Sequence, residues 1–221
     1  GIPALAEQII VERDLSILDE YFCRYHISQI SSHKTVDIIR KAKNEGKIFS
    51  SGVSINNLSL NENDIGDFKT FLKLSPPLRT ENDRLSLVNG LNDGTIDVIV
   101  SDHKPEDEES KRLTFSQAAT GAAGIETLLP LALELFHNKS IKLEKLIASM
   151  TLNPSKILKI NKGSLDIGNE ADLCALDINK PWVVKQNELK SKSKNTPIEN
   201  RKLQGQVFKT FVKGELLYER T

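Results

Sequence analysis

The sequence predicts an α/β chain: about four strand–helix units of a parallel (β/α) barrel, followed by a small β-rich tail. Three observations carry this expectation. Strand-like runs alternate with helical patterns through the first part of the chain, as parallel βα units do and sandwiches do not. The run Ile96-Asp97-Val98-Ile99-Val100 is rich in β-branched residues and suits a strand buried on both faces. Towards the C-terminus the helical patterns give way to short strand-like runs at Asp172–Asp177, Trp182–Lys185 and Val207–Tyr218. The expected division is 1–156 for the barrel portion and 157–221 for the tail.

Taken in order, Leu5, Ile9, Ile10, Leu15, Ile17, Leu18 and Phe22 recur at helical spacing, so a helix is predicted from Ala4 to Phe22. Tyr25–Ser31 reads as a strand. Lys34–Glu45 carries Val36, Ile38, Ile39 and Ala42 and meets Gly46, a residue that tolerates the positive φ of a helix end. Lys47–Ile55 is a second strand candidate and Phe71–Leu74 a third, stopped by Pro76-Pro77, which cannot continue a ladder. Thr80–Leu91 is expected as a helix whose Thr80 and Asp83 form a capping box. Asn92-Asp93-Gly94 marks a turn before the fourth strand candidate, and helices follow around Ile125–Phe136 and Leu143–Thr151. Lys190–Asn200 is a polar connecting loop; Lys190, Lys192 and Lys194 lack interleaved aromatics and form a solvated surface.

At 221 residues with 38% apolar and 27% charged content, the chain is long enough to bury one substantial core. Thirty basic residues offset thirty acidic ones, which leaves no long-range field to gather phosphate backbones or anionic lipid. Nucleic acid and membrane are therefore not expected as partners. No apolar run reaches the ~18 residues a membrane span needs, and a cytoplasmic chain is expected. Cys23 and Cys174 lie far apart in apolar settings and are expected as buried thiols rather than a disulfide or metal pair.

The motifs carry a resemblance. Ala6-Glu7, Arg13-Asp14, the strand around His26, Ser75-Pro76-Pro77-Leu78-Arg79, Asp93-Gly94-Thr95-Ile96-Asp97, Ser101-Asp102-His103, Gly124-Ile125-Glu126-Thr127 and Asn195-Thr196-Pro197 stand in this order. Asn153-Pro154-Ser155-Lys156, Lys162-Gly163 and Gly168-Asn169-Glu170-Ala171-Asp172-Leu173 close the series. Over nearly its whole length the chain resembles the C-terminal half of a dihydroorotase, a class I member of the amidohydrolase superfamily. The resemblance implies a partial TIM-type barrel, since a whole one takes ~250 residues, with a tail belonging to the composite domain. It also implies a hydrolase acting on cyclic amide C–N bonds in pyrimidine biosynthesis, with zinc as cofactor and an N-terminal half absent from this chain.

Residue by residue, the resemblance puts Asp102 at the family's catalytic base, at a strand's C-terminal end where a barrel's chemistry belongs. Capping the next turn is the plain alternative for that side chain. Gln29 stands at the position of a lost histidine ligand, and an amide binds Zn²⁺ poorly beside an imidazole. His26 matches a neighbouring family histidine that is not a ligand and is expected to be packed or hydrogen-bonded. His33 is offset onto the following loop. Asn56-Asn57 replace paired histidines. The family's substrate positions fall on Ser75, Glu106, Thr120 and Gly121, mostly substituted; a glutamate at 106 repels a carboxylate substrate. His137 is expected at a helix end and Trp182 in the core.

Substitution confined to chemical positions predicts a fold kept without its catalysis, binding no zinc, and serving as a structural partner of aspartate carbamoyltransferase. The alternative is an active zinc-dependent amidohydrolase once the N-terminal half supplies the remaining ligands. A half barrel alone exposes sheet edges, so a homo-oligomer or a covering segment is expected.

Overall fold

The computed structural model describes residues 2–220. Helix α1 (Ala4–Glu20) leads into β1 (His26–Ile30), α2 (His33–Asn44), β2 (Ser50–Ser54), the short α3 (Ile55–Ser59), α4 (Glu81–Asp93) and β3 (Val98–Val100). One-turn α5 (Glu108–Lys111) follows, then α6 (Leu128–His137), α7 (Leu143–Met150) and α8 (Leu152–Leu158). The tail is β4 (Leu173–Val183), β5 (Lys202–Val212) and β6 (Glu215–Glu219). No helix among the described residues is long and apolar enough to cross a membrane.

The first three strands are parallel in the order β1-β2-β3, with Ser54 opposite Val100 and Ile30 opposite Val53. This open sheet is the barrel portion, and helices cover it. Helix α2 shows why the sequence folds so. The Ser32 hydroxyl accepts the Thr35 N–H at 3.2 Å, Val36, Ile39 and Ala42 turn one stripe inward, and Gly46 leaves the helix at φ +87°. The expected capping box is present on α4: the Asp83 N–H donates to the Thr80 hydroxyl, and the Thr80 N–H donates to the Asp83 carboxylate, each at 3.2 Å. Gly94 ends α4 in the left-handed region, which a residue without Cβ adopts freely. Ile30, Ile39, Ile55, Leu58, Leu87, Leu91, Leu131 and Leu146 have almost no solvent contact; burying each such side chain contributes about 1.5–3 kcal/mol.

The tail is a separate antiparallel sheet ordered β4-β5-β6, yet Val184, Ile198 and Leu203 belong to the same apolar core as the parallel strands. Strand β5 lies against α6. A Cβ on Gly205 would fall 2.2 Å from Leu133 Cδ1, so the two elements touch where β5 has no side chain. Arg201 Nη2 donates to both carboxylate oxygens of Glu134, at 2.9 and 3.1 Å, and His137 Nε2 pairs with the Ile178 carbonyl at 2.9 Å. His137 is the last residue of α6 as expected, but it is tied to the tail and not left free on the surface. Trp182 packs against the core.

Several expectations are corrected. Phe71–Leu74 is not a strand: Thr70–Leu72 forms a 3-10 turn, and β2 pairs directly with β3, so this segment is not inserted between them. Asp172–Asp177 and Trp182–Lys185 merge largely into β4, whose register shifts between Asp177 and Pro181; a bulge there accommodates a proline that has no N–H to donate. Cys23 and Cys174 are both exposed: Cys23 lies in the coil after α1, and Cys174 in the outer part of β4, over which no layer packs.

Candidate functional site

Three strand ends converge on one carboxyl. Gln29 is the penultimate residue of β1, Ser54 the last of β2, and Asp102 follows β3 by two residues. Gln29 Nε2 donates to Asp102 Oδ1 at 2.9 Å, and Ser54 Oγ donates to Asp102 Oδ2 at 3.4 Å. Burial pushes the Asp102 carboxyl up; the bonds from Gln29 and Ser54 and the charge of Lys104 offset this only in part. Asp102 has φ +48°, a left-handed conformation that a non-glycine residue keeps only where its surroundings hold it.

Beside this contact, α3 carries two buried amides. Asn57 Nδ2 donates to the Pro77 carbonyl at 3.0 Å. Asn56 is fully buried, and among the described residues neither of its amide atoms has a hydrogen-bond partner.

The histidines are engaged elsewhere. His26 Nδ1 meets Ser50 Oγ at 2.7 Å at the opposite end of the strands, and burial pushes its pKa down; it is the hydrogen-bonded histidine expected. His33 is the first residue of α2 rather than part of a loop, with Nδ1 2.7 Å from Asp83 Oδ1. His103 Nδ1 accepts the N–H groups of Gly124 and Ile125 at 3.2 and 3.3 Å.

Of the substrate positions, Ser75 is exposed. Glu106 and Gly121 are brought together by Asn195, whose Oδ1 accepts the Glu106 N–H and whose Nδ2 donates to the Gly121 carbonyl, both at 3.2 Å. Thr120 and Gly121 lie in the segment after α5. Gly121 has φ +144°, and a Cβ there would sit 2.5 Å from the Lys104 carbonyl. That segment is laced down by lysines: Lys73 Nζ donates to the carbonyls of Ser116 and Ala118, and buried Lys111 donates to those of Thr70 and Ala119.

Sequence reasoning missed Ser54, the bridging role of Asn195 and the buried Lys111. The Asn195-Thr196-Pro197 motif was a signal for the second; Ser54 and Lys111 carry none.

These residues do not fit zinc. The side chains meeting at the strand ends are a carboxyl, an amide and a hydroxyl, whereas zinc sites use imidazole, thiolate and carboxylate together. Among the described residues no three His, Cys, Asp or Glu side chains form a group able to hold a metal.

A parallel sheet with a polar cluster at its C-terminal strand ends defines an α/β chain, and the family model described as "Amidohydrolase family" matches residues 14–217. The chain belongs to the amidohydrolase family. It is 43% identical over 219 residues to the dihydroorotase of Ehrlichia canis (strain Jake), covering 99% of this chain and 49% of that protein. It is 42% identical to the dihydroorotase of Acetivibrio thermocellus, covering 98% and 51% respectively. Among solved structures, the L-hydantoinase (dihydropyrimidinase) of Arthrobacter aurescens superposes with a TM-score of 0.93 at 29% identity, over 98% of this chain and 49% of that one. The chain thus spans about half the length of the relatives it matches.

Proposed function

We propose that the chain is the C-terminal half of a dihydroorotase-like protein of pyrimidine biosynthesis that has lost catalysis and acts as a structural partner of aspartate carbamoyltransferase. One observation carries the loss of catalysis. The Asp102 carboxyl, the retained base position, is bonded by the Gln29 amide where the resemblance implies a histidine ligand. Hydrolysis of a cyclic amide needs an activated water and a group to manage its proton; an amide donor on the carboxyl serves neither need. The intact core and capping support a retained scaffold, and the transcarbamoylase comes from the resemblance.

A second reading is a working zinc-dependent dihydroorotase completed by the other half, favoured by identity of 43% to a protein of that name. Zinc content and dihydroorotate hydrolysis, measured on the natural polypeptide purified without chelator, separate the two. No metal and no turnover, with aspartate carbamoyltransferase captured in a pull-down, is the expected result. Stoichiometric zinc with turnover abolished by Asp102→Ala overturns it.

A further inference from the structure

We propose that Gln29, Asp102 and Ser54 form a clasp that fastens the C-terminal end of the parallel sheet and keeps a divalent cation out of it. This rests on the non-catalytic reading and names the residues responsible.

The geometry is that of a fastening. One carboxyl receives a donor from each of the other two strands, at 2.9 Å from β1 and 3.4 Å from β2. The three strand ends are thereby joined side chain to side chain, beyond the last backbone pairing of Ser54 with Val100. Asp102 holds a left-handed backbone, and a strained conformation of this kind persists where contacts over-determine it.

The same geometry excludes a cation. A metal approaching Asp102 would meet the Gln29 N–H on Oδ1 and the Ser54 O–H on Oδ2, both donors carrying positive partial charge towards it. His103, the residue after Asp102, spends its Nδ1 lone pair on the Gly124 and Ile125 N–H groups, and the fully buried Asn56 amide on α3 has no hydrogen-bond partner among the described residues.

The test compares melting and zinc uptake in the wild type, Gln29→Leu, and Gln29→His/Asn56→His. The wild type is expected to take up no saturable zinc and to melt unchanged when zinc is added. Gln29→Leu leaves the half-buried carboxyl short of a donor and is expected to melt about 3–8 °C lower, again without zinc. The double variant supplies one imidazole at the Asp102 contact of Gln29 and a second at the start of α3, and is expected to bind one zinc per chain and melt ~5 °C higher at saturating metal. If the double variant folds poorly, the melting of Gln29→Leu against the wild type decides the clasp by itself. Saturable zinc on the wild type, unchanged melting of Gln29→Leu, or a folded histidine variant that takes no zinc each overturns the clasp. The two readings fail separately: turnover of dihydroorotate overturns the absence of catalysis, whereas a Gln29→Leu chain that melts with the wild type overturns the clasp.

Discussion

The Asp83 carboxylate serves two helices at once. It closes the capping box of α4 with Thr80, and Oδ1 accepts both the backbone N–H of His33 at 2.8 Å and its ring nitrogen at 2.7 Å. The start of α2 is therefore pinned to the start of α4 across fifty residues of sequence.

Asp83→Ala is expected to destabilise the chain by about 2–4 kcal/mol, combining a lost cap of ~1 with the cost of stranding the His33 N–H. Equilibrium denaturation reads this directly. Burial by itself pushes the Asp83 carboxyl up, but the bonds from Thr80 and from the backbone and ring of His33 outweigh it and hold the group below its usual value. A carboxyl lowered on folding contributes stability above its unfolded pKa of about 4, and this is lost as pH falls through the folded value. The stability gap between wild type and Asp83→Ala should therefore narrow below about pH 4. A constant gap down to acid unfolding would rule the linkage out.

Gly121→Ala is expected to cost at least about 1–3 kcal/mol from its positive φ alone. The new Cβ would also fall 2.5 Å from the Lys104 carbonyl, a backbone atom that cannot swing aside. Thermal melting together with protease sensitivity of 112–121 would detect it; a variant as stable and as resistant as the wild type contradicts the close approach.

Lys111 gives a second pH effect, of the same sign but in the alkaline range. Burial lowers its pKa from 10.5 to about 8, with Lys73 and Lys104 pushing the same way and Glu106 opposing. A lysine whose folded pKa is depressed is costly while protonated, so stability should rise as pH climbs from about 8 towards 10.5. Lys111→Met removes this rise. Urea midpoints for the two proteins measured between those limits should diverge with pH; parallel curves would show that the ammonium is not buried as described.

Which parts of this were legible beforehand follows from the range of the forces. The Thr80–Asp83 box and the Gly46 and Gly94 helix ends are local chemistry, visible in a few consecutive residues. Phe71–Leu74 has a strand's composition, and only the direct pairing of β2 with β3 shows that it is not inserted between them. Cys23 and Cys174 have apolar sequence neighbours, but burial is decided by what packs over them. Gln29 and Asp102 were each singled out, yet their contact spans 73 positions and could not be read from either neighbourhood. Lys111 was invisible, since lysines are rarely buried and its acceptors are carbonyls.

The dimple that Gly205 leaves for Leu133 has a consequence for how the molecule comes apart. Because tail residues complete the apolar interior beneath α6, shortening the chain after α8 would not yield a smaller free-standing unit; it would wet Leu133 and strand Glu134 without Arg201. A nick in the 190–200 loop should leave both pieces holding together, and heating should unravel sheet and tail in a single event. Cohesion here follows the packing and ignores the order in which the segments were made.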